Sequence, residues 1–452
     1  MRELGEEEGA ALLESLGGAS PVAVRLNPLK EGARFDGRPI GWSRHGLLLD
    51  SRPSFTFDTA FHAGCYYVQE AGSQFVGHIL ASTGIGEGRI LDMCAAPGGK
   101  TTLYAALAGE DGLVVANEPV RNRAAVLADN VRKWGAGNTM VVCSDPRAFA
   151  AAGALFDVVA VDAPCSGEGM FRKEERAREE WSENGVGMCA ARQLKILDDA
   201  WEALRPGGVL IYSTCTFNNV ENEGVLRSFA ARVGDVIEES EDVPCPAEWG
   251  IEQGREGVFR TFRFWPHRTC AEGFFAAVAR KSGGGSVRIA ASKRGRSPLS
   301  EVSGAEAREL ARWVKNPEQM RFAVAGDCLY AYRRSTYDFV KMLSERVNAI
   351  YSGVAMGRLF GGKLKPEHAL AMYAGLNREA VNTAELSRDE AVRYLGKRDF
   401  DLSPLREGLN LVTCDGRALG FAKRVGGRCN NLYPNSLRIL KESADTENAV
   451  EN

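Results

Sequence analysis

Between Arg89 and Lys281, short runs of Val, Ile, Leu and Ala alternate with longer segments whose apolar positions recur at helical spacing. The short runs predict strands at 89–93, 113–117, 139–143, 157–161, 207–213 and 273–280, and the longer segments helices at 100–107, 120–133, 187–204 and 219–231. Strands that are apolar residue after residue, separated by helices, predict an α/β fold: a doubly wound, mostly parallel, Rossmann-like sheet covered by helices on both faces. FRTFRFWP (259–266) and GFFAAVAR (273–280) read as a hairpin-like antiparallel pair at the sheet edge.

The flanks follow other patterns. EEEGAALLESL (6–16) predicts a helix, and VAVRLN (22–27) and GLLL (46–49) predict strands of a small N-terminal α+β module. Tyr66–Leu80 has helical apolar spacing and leads toward the main sheet. SGGGSVRIAASKRGRSP (282–298) is a Gly/Ser/basic linker. Beyond it come a helical start at 301–315, a helix at 387–395, and the strand-rich run LNLVTCDGRALGFAKRVGGRCNNLYP (409–434), whose Asp415-Gly416 turn reads as a hairpin. The expected division is 1–75, 76–282, a linker at 283–298, 299–375 and 376–452.

Three stretches carry the candidate chemistry. LDMCAAPGGKTT (91–102) reads strand, glycine turn, helix, in which glycines admit a close ligand and the helix start offers free N–H groups. It is neither a G-x-G-x-x-G nor a P-loop pattern. DVVAVDAPCSGEGMFRK (157–173) and GGVLIYSTCT (207–216) each end a buried-type strand at a cysteine. Ligands of open α/β sheets bind at the carboxyl ends of strands, so Asp92, Asp162, Cys165 and Cys215 are expected in one crevice. Glu118, 26 residues after Asp92 at the end of the second strand, suits a ribose, and Asp145, just past the third, suits an adenine edge. Together these point to S-adenosylmethionine. A thiolate adding to an electron-poor ring carbon fits methylation at carbon 5 of a pyrimidine, with Asp162 stabilising charge on the ring and a second thiol helping to release the product.

Composition narrows this further. The 452 residues exceed one ordinary core, and no apolar run approaches a membrane span. The N-terminus MRELGEEEG lacks the apolar segment of a secretory signal. Eleven scattered cysteines without a C-x-x-C pair argue against zinc or a disulfide framework, so no metal, no membrane and a reducing cytoplasm are expected. Residues 1–285 carry 29 Lys/Arg against 39 Asp/Glu, whereas residues 286–452 carry 27 against 20, as for an acidic body with a basic accessory half that meets an anionic partner.

CAAPGGK (94–100), DAPCSGEGMFRK (162–173) and STCT (213–216) resemble the Sun-type (NSUN) RNA cytosine-5 methyltransferases, and VRLNPLK, YYVQEAGS and Glu118 agree. GFAKRVGGRCNNLYP resembles the PUA-like RNA-binding tail of the bacterial RsmF branch. The resemblance implies that Cys94, Ala95, Ala96, Pro97, Gly98, Gly99, Lys100, Glu118, Asp145 and Asp162 line the S-adenosylmethionine pocket. It implies Cys215 as the nucleophile and Cys165 as the thiol that resolves the adduct, an assignment the residues alone leave open because DNA cytosine methyltransferases use the Pro-Cys cysteine. Lys100 and Arg123 are further candidates for contact with cofactor or base. The implied substrate is RNA of the small ribosomal subunit, free or assembled, with tRNA as the alternative and a monomer as the expected state. A non-catalytic RNA-binding or ribosome-assembly factor, or a DNA methyltransferase, are the competing readings. Arg172, Lys173, Lys293, Arg294, Arg296, Lys423, Arg424 and Arg428 are candidate RNA contacts, and Tyr433 a candidate stacking platform.

Overall fold

The protein is described by a computed structural model covering residues 4–240, 242–283 and 298–441. Its centre is a ten-stranded sheet. Five parallel strands lie in the spatial order Thr139–Val142, Leu113–Asn117, Arg89–Asp92, Phe156–Asp162, Leu204–Thr214. The chain winds outward in one direction from Arg89–Asp92 and then in the other, so the crevice opens above that strand and Phe156–Asp162. Phe274–Lys281, Phe259–Phe264 and Glu252–Glu256 extend the sheet antiparallel beyond Leu204–Thr214.

The continuous apolar runs follow from burial on both sides. Leu91, Val115, Val159 and Leu210 face one core with Leu197, Trp201 and Phe229, while their neighbours Ile90, Val114, Val158 and Val209 face another with Phe75, Ile79, Leu103 and Tyr104. Burying each such side chain contributes about 1.5–3 kcal/mol, so neither face tolerates a polar residue.

The other edge of this sheet was not legible in the sequence. Ala349–Ser352 lies antiparallel against Thr139–Val142 and covers what would otherwise be an unpaired edge. The surrounding segment forms its own antiparallel five-stranded sheet, and its helix Arg334–Ser344 sends Phe339, Val340 and Leu343 into the central core.

The N-terminal sheet has the order Gly37–Pro39, Gly46–Leu49, Val22–Leu26, Tyr66–Val68. The helix expected over Tyr66–Leu80 therefore begins only at Phe75. Tyr66–Val68 consists of aromatic and β-branched residues, and pairing with Val22–Leu26 overrides a helical spacing that the segment shares with the true helix behind it. The last sheet comprises Asn382–Glu385, Gly408–Cys414, Arg417–Val425 and Arg428–Asn431. Its expected hairpin is present, with Asp415 at φ 48° and Gly416 at φ 72°, the two left-handed positions of a tight two-residue turn.

This last sheet and the N-terminal module share one core, in which Val24, Phe57 and Tyr66 pack with Tyr394, Val412 and Tyr433. Tyr433 is only 3% exposed, its ring edge-on to His368 and Tyr394, so it is a core residue and not the exposed stacking platform expected from its basic surroundings. Truncation of Tyr433 to Ala is expected to cost about 3 kcal/mol of stability, read as a lowered urea midpoint.

Candidate active site

The strand Arg89–Asp92 ends in a loop that turns at Gly98 into the helix Gly99–Leu107. Gly98 has φ +113°, and a side chain there would press on Leu127, so the turn requires glycine. Residues from outside hold the loop, two arginines among them. Arg25, buried to 1% exposure, donates to the carbonyl of Gly99 (3.1 Å), to Thr102 Oγ1 (2.6 Å) and to Gln69 Oε1 (2.7 Å). Arg123 bridges the Ala96 carbonyl (3.3 Å) and Glu118 Oε2 (3.3 Å) at the rim.

Glu118 is buried at the end of Leu113–Asn117, with Oε1 accepting from the Val120 N–H at 2.9 Å. Asp92 accepts from Thr101 Oγ1 at 2.6 Å through one oxygen, while its other oxygen is buried without a partner. Burial pushes its carboxyl up to about 7, with the negative charge of Asp162 adding to the rise. Burial likewise pushes the Cys94 thiol up. A glycine turn, an unmet carboxylate oxygen and a buried acid one strand over fit an adenosine-containing ligand. Asp145 is placed differently from these: its carboxylate is exposed, and Arg147 grips both oxygens at 2.8 Å and holds the group down to about 2.

On the catalytic side, Asp162 ends its strand shared between Lys100 Nζ (2.8 Å) and Ser213 Oγ (2.8 Å). The Cys165 and Cys215 sulfurs lie 3.2 Å apart. Their surroundings are unequal. The hydrogen bond from Cys165 lowers Cys215 below the ordinary thiol value against the opposing effects of burial and of the Asp162 charge, and nearby Lys100 acts in the lowering direction. The same hydrogen bond, burial and the negative charge of Glu221 push Cys165 up. For Lys100, burial disfavours the charged form, but Asp162 more than offsets it and the ammonium is held above its ordinary value. Cys215 is thus the more readily ionised member of the pair and Cys165 the one that holds its proton more tightly.

A hydrogen-bond latch keeps the two cysteine loops together. Glu221 is fully buried and accepts from the Ser166 N–H (2.9 Å), Gln193 Nε2 (2.9 Å) and Asn218 Nδ2 (2.7 Å). Glu168 accepts from the N–H groups of Phe217 (3.0 Å) and Asn218 (2.9 Å) and from Trp181 Nε1 (3.0 Å). Asn218 also donates to Glu168 at 3.1 Å, so one amide spans both carboxylates. The residues following the two cysteines, Ser166 and Thr216, bond to each other at 2.9 Å.

The expected RNA contacts divide. Lys173, Lys423 and Arg428 are exposed. Arg172 is not available: it is paired with Glu272 at 2.9 Å, with side-chain exposures of 8% and 2%. Arg424 donates to the carbonyls of Leu402, Leu405 and Gly426 and so braces its own hairpin. Lys293, Arg294 and Arg296 lie outside the described residues.

This geometry has recognisable relatives. Residues 1–71 match the family described as the N-terminal domain of 16S rRNA methyltransferase RsmF, residues 83–280 the 16S rRNA methyltransferase RsmB/F family, and residues 381–439 the methyltransferase RsmF PUA domain. The chain is 33% identical over 416 residues to the ribosomal RNA small subunit methyltransferase F of Citrobacter koseri, covering 88% of this chain and 84% of that protein. The chain belongs to the RsmF family. The Escherichia coli protein of the same name is 32% identical over 424 residues, with the same coverage. Among solved structures, a methyltransferase homologue from Pyrococcus horikoshii is 27% identical, with a TM-score of 0.51 over 61% of this chain and 91% of that one. As an RsmF-family protein the chain has a Rossmann-like, S-adenosylmethionine-dependent methyltransferase domain and a C-terminal PUA domain.

Five structural residues of this RsmF-family site carried no interpretable signal in the sequence. Glu168 lies inside a motif without an obvious task, and Gln193, Asn218 and Glu221 look like the polar positions of ordinary helix surfaces or caps. Arg25 sits in a strand whose alternation gives no hint that its guanidinium is buried.

Two measurements check the site. Alkylation of Cys215, followed by peptide mass spectrometry, is expected to reach half its maximal rate at a pH below the ordinary thiol value, and the midpoint is expected to move upward in Cys165→Ala. Asn218→Ala removes the shared amide and is expected to slow oxidant-induced disulfide formation between Cys165 and Cys215 by about tenfold, the equivalent of one charge-assisted hydrogen bond.

Proposed function

We propose that the protein transfers a methyl group from S-adenosylmethionine to carbon 5 of cytosine in RNA of the small ribosomal subunit. The observation that carries this reading is the unequal thiol pair, 3.2 Å apart and beside the Lys100–Asp162 ion pair. The ribosomal substrate is supported by the names of the relatives from Citrobacter koseri and Escherichia coli and by the PUA match at residues 381–439.

Carbon 5 of a cytosine is a poor nucleophile until something adds at carbon 6. Cys215, the more readily ionised of the two sulfurs, forms that bond as its thiolate, and the electron density displaced into the ring reaches carbon 5. Asp162 and Lys100 provide the charged groups beside the thiolate that stabilise the ring as density moves through it. When bound against Gly98, Asp92 and Glu118, S-adenosylmethionine supplies an electrophilic methyl. Cys165, which gives up its proton to water once Cys215 is bonded to carbon 6, then accepts the proton of carbon 5. The electron pair of that C–H bond re-forms the ring double bond, the carbon 6–sulfur bond breaks, Cys215 leaves as thiolate and Cys165 is again the thiol. Reaching a ring inside an RNA fold requires that the base be unstacked into the crevice.

Cys215→Ala is expected to lower methyl transfer to a small-subunit RNA transcript by on the order of 10⁴-fold or more. Cys165→Ala is expected to form the bond to carbon 6 and fail to resolve it, giving a covalent RNA–protein adduct that survives denaturing electrophoresis. Activity retained in both variants, with no adduct in either, rules the mechanism out. Bisulfite sequencing of total RNA from cells with and without the gene identifies the base and the RNA.

A further inference from the structure

Away from the thiols, the N-terminal module, the segment after the linker and the last hairpin enclose a cleft of about 700 Å³. Five cations line it: Lys30, Arg34, Lys315, Arg378 and Arg417. Only Glu31 and Asp415 oppose them, and Asp415 is already ion-paired with Arg417.

The cations are of two kinds. Three are fixed by backbone carbonyls: Lys30 Nζ by Ala63 (2.8 Å) and Lys133 (2.7 Å), Arg378 by Gly416 (2.8 Å), and Arg417 by Gly32 (2.7 Å). The carbonyls orient these donors without cancelling the charge of Arg378, whereas Arg417 shares its charge with Asp415. Arg417 keeps a buried Nε–H with no partner, and burial together with the charges of Lys133 and Arg378 pushes Lys30 down to about 7, so that it is an oriented donor only partly charged near neutrality. The other two, Arg34 and Lys315, are exposed, and neither side chain has a hydrogen-bond or ion-pair partner among the described residues. Oriented donors at the wall, free cations at the mouth and an unmet N–H are complementary to a chain of phosphates rather than to a neutral or cationic ligand.

We propose that this cleft seats a phosphodiester segment of the RNA substrate at a point separate from the reacting base. The proposal rests on the reading of the protein as an RNA methyltransferase and adds to it where the rest of the strand is held. Because the cleft would grip the strand equally before and during the reaction, it adds affinity without changing the chemical step.

The test uses the full-length chain carrying Arg34→Glu and Lys315→Glu together. Both side chains are exposed and unpartnered, so the thermal midpoint is expected to stay where it is. The Kd for a small-subunit RNA transcript is expected to rise by tenfold or more at about 0.1 M salt. The slope of log Kd against log salt is expected to flatten by roughly 0.7–0.9 for each phosphate that is no longer neutralised. KM for RNA rises with Kd, whereas kcat at saturating RNA is unchanged, and Arg34→Lys with Lys315→Arg keeps the parent's affinity. An unchanged Kd and an unchanged slope overturn the proposal. So does competition in which inorganic phosphate protects the cleft from modification while RNA does not. If instead the parent binds RNA without methylating it and the charge reversal still weakens binding, the reading of the active site fails and the cleft stands.

Discussion

A fully buried carboxylate, Glu221, met only by neutral donors, is the constraint on which the site depends. Moving a carboxylate out of water costs several kcal/mol unless hydrogen bonds replace the lost hydration. Here the replacements come from the loop after Cys165, from the long helix Glu183–Ala203 and from Asn218 beyond Cys215. The charge can be solvated only if all three segments are in place at once. The two cysteine loops, 50 residues apart in sequence, are therefore brought together by the need to satisfy one acid. The contact between the two sulfurs that this assembly creates is the largest influence on both: it lowers Cys215 and raises Cys165, with the Glu221 charge a lesser addition at Cys165 and the Asp162 and Lys100 charges opposing each other at Cys215. A pair of chemically identical side chains thereby acquires a direction.

The cofactor side shows a parallel device. Arg25 is a buried guanidinium whose hydrogen-bond partners are a carbonyl, a hydroxyl and an amide, with its plane over Trp134 at 4.5 Å. Burial pushes it down to about 9, still far above neutrality, so it stays charged and its donors stay committed. Through Gly99 it ties the N-terminal strand Val22–Leu26 to the start of the helix that faces the ligand. The N-terminal module thus bears directly on the shape of the glycine loop.

Legibility in the sequence followed from whether a feature was local. The parallel strands could be read because burial on both faces makes them apolar without interruption, as at Val114 and Val115, which face opposite cores. The positions of Asp92, Asp162, Cys165 and Cys215 could be read because strand ends in such a sheet converge. What could not be read depended on partners distant in the chain. Ala349–Ser352 has no local mark of belonging to a sheet more than 200 residues earlier. Arg172 looked like a free cation beside the active-site loop until Glu272 closed on it. Tyr433 stands among basic and polar residues and gives no sign that Tyr394 and His368 surround its ring.

The shared core between the N-terminal module and the last sheet gives these distant contacts a common consequence. Val24 and Tyr66 pack with Val412 and Tyr433, and Tyr66's neighbour Tyr67 reaches the Pro97 carbonyl of the glycine loop at 3.4 Å. A PUA unit on a flexible tether would raise only the local concentration of RNA. Under the proposed function, a unit packed into the module that braces the cofactor loop holds RNA at a fixed offset from Cys215, and a fixed offset narrows which base can reach that sulfur. On that proposal the rigidity of the shared core works together with the shape of the crevice in the choice of base.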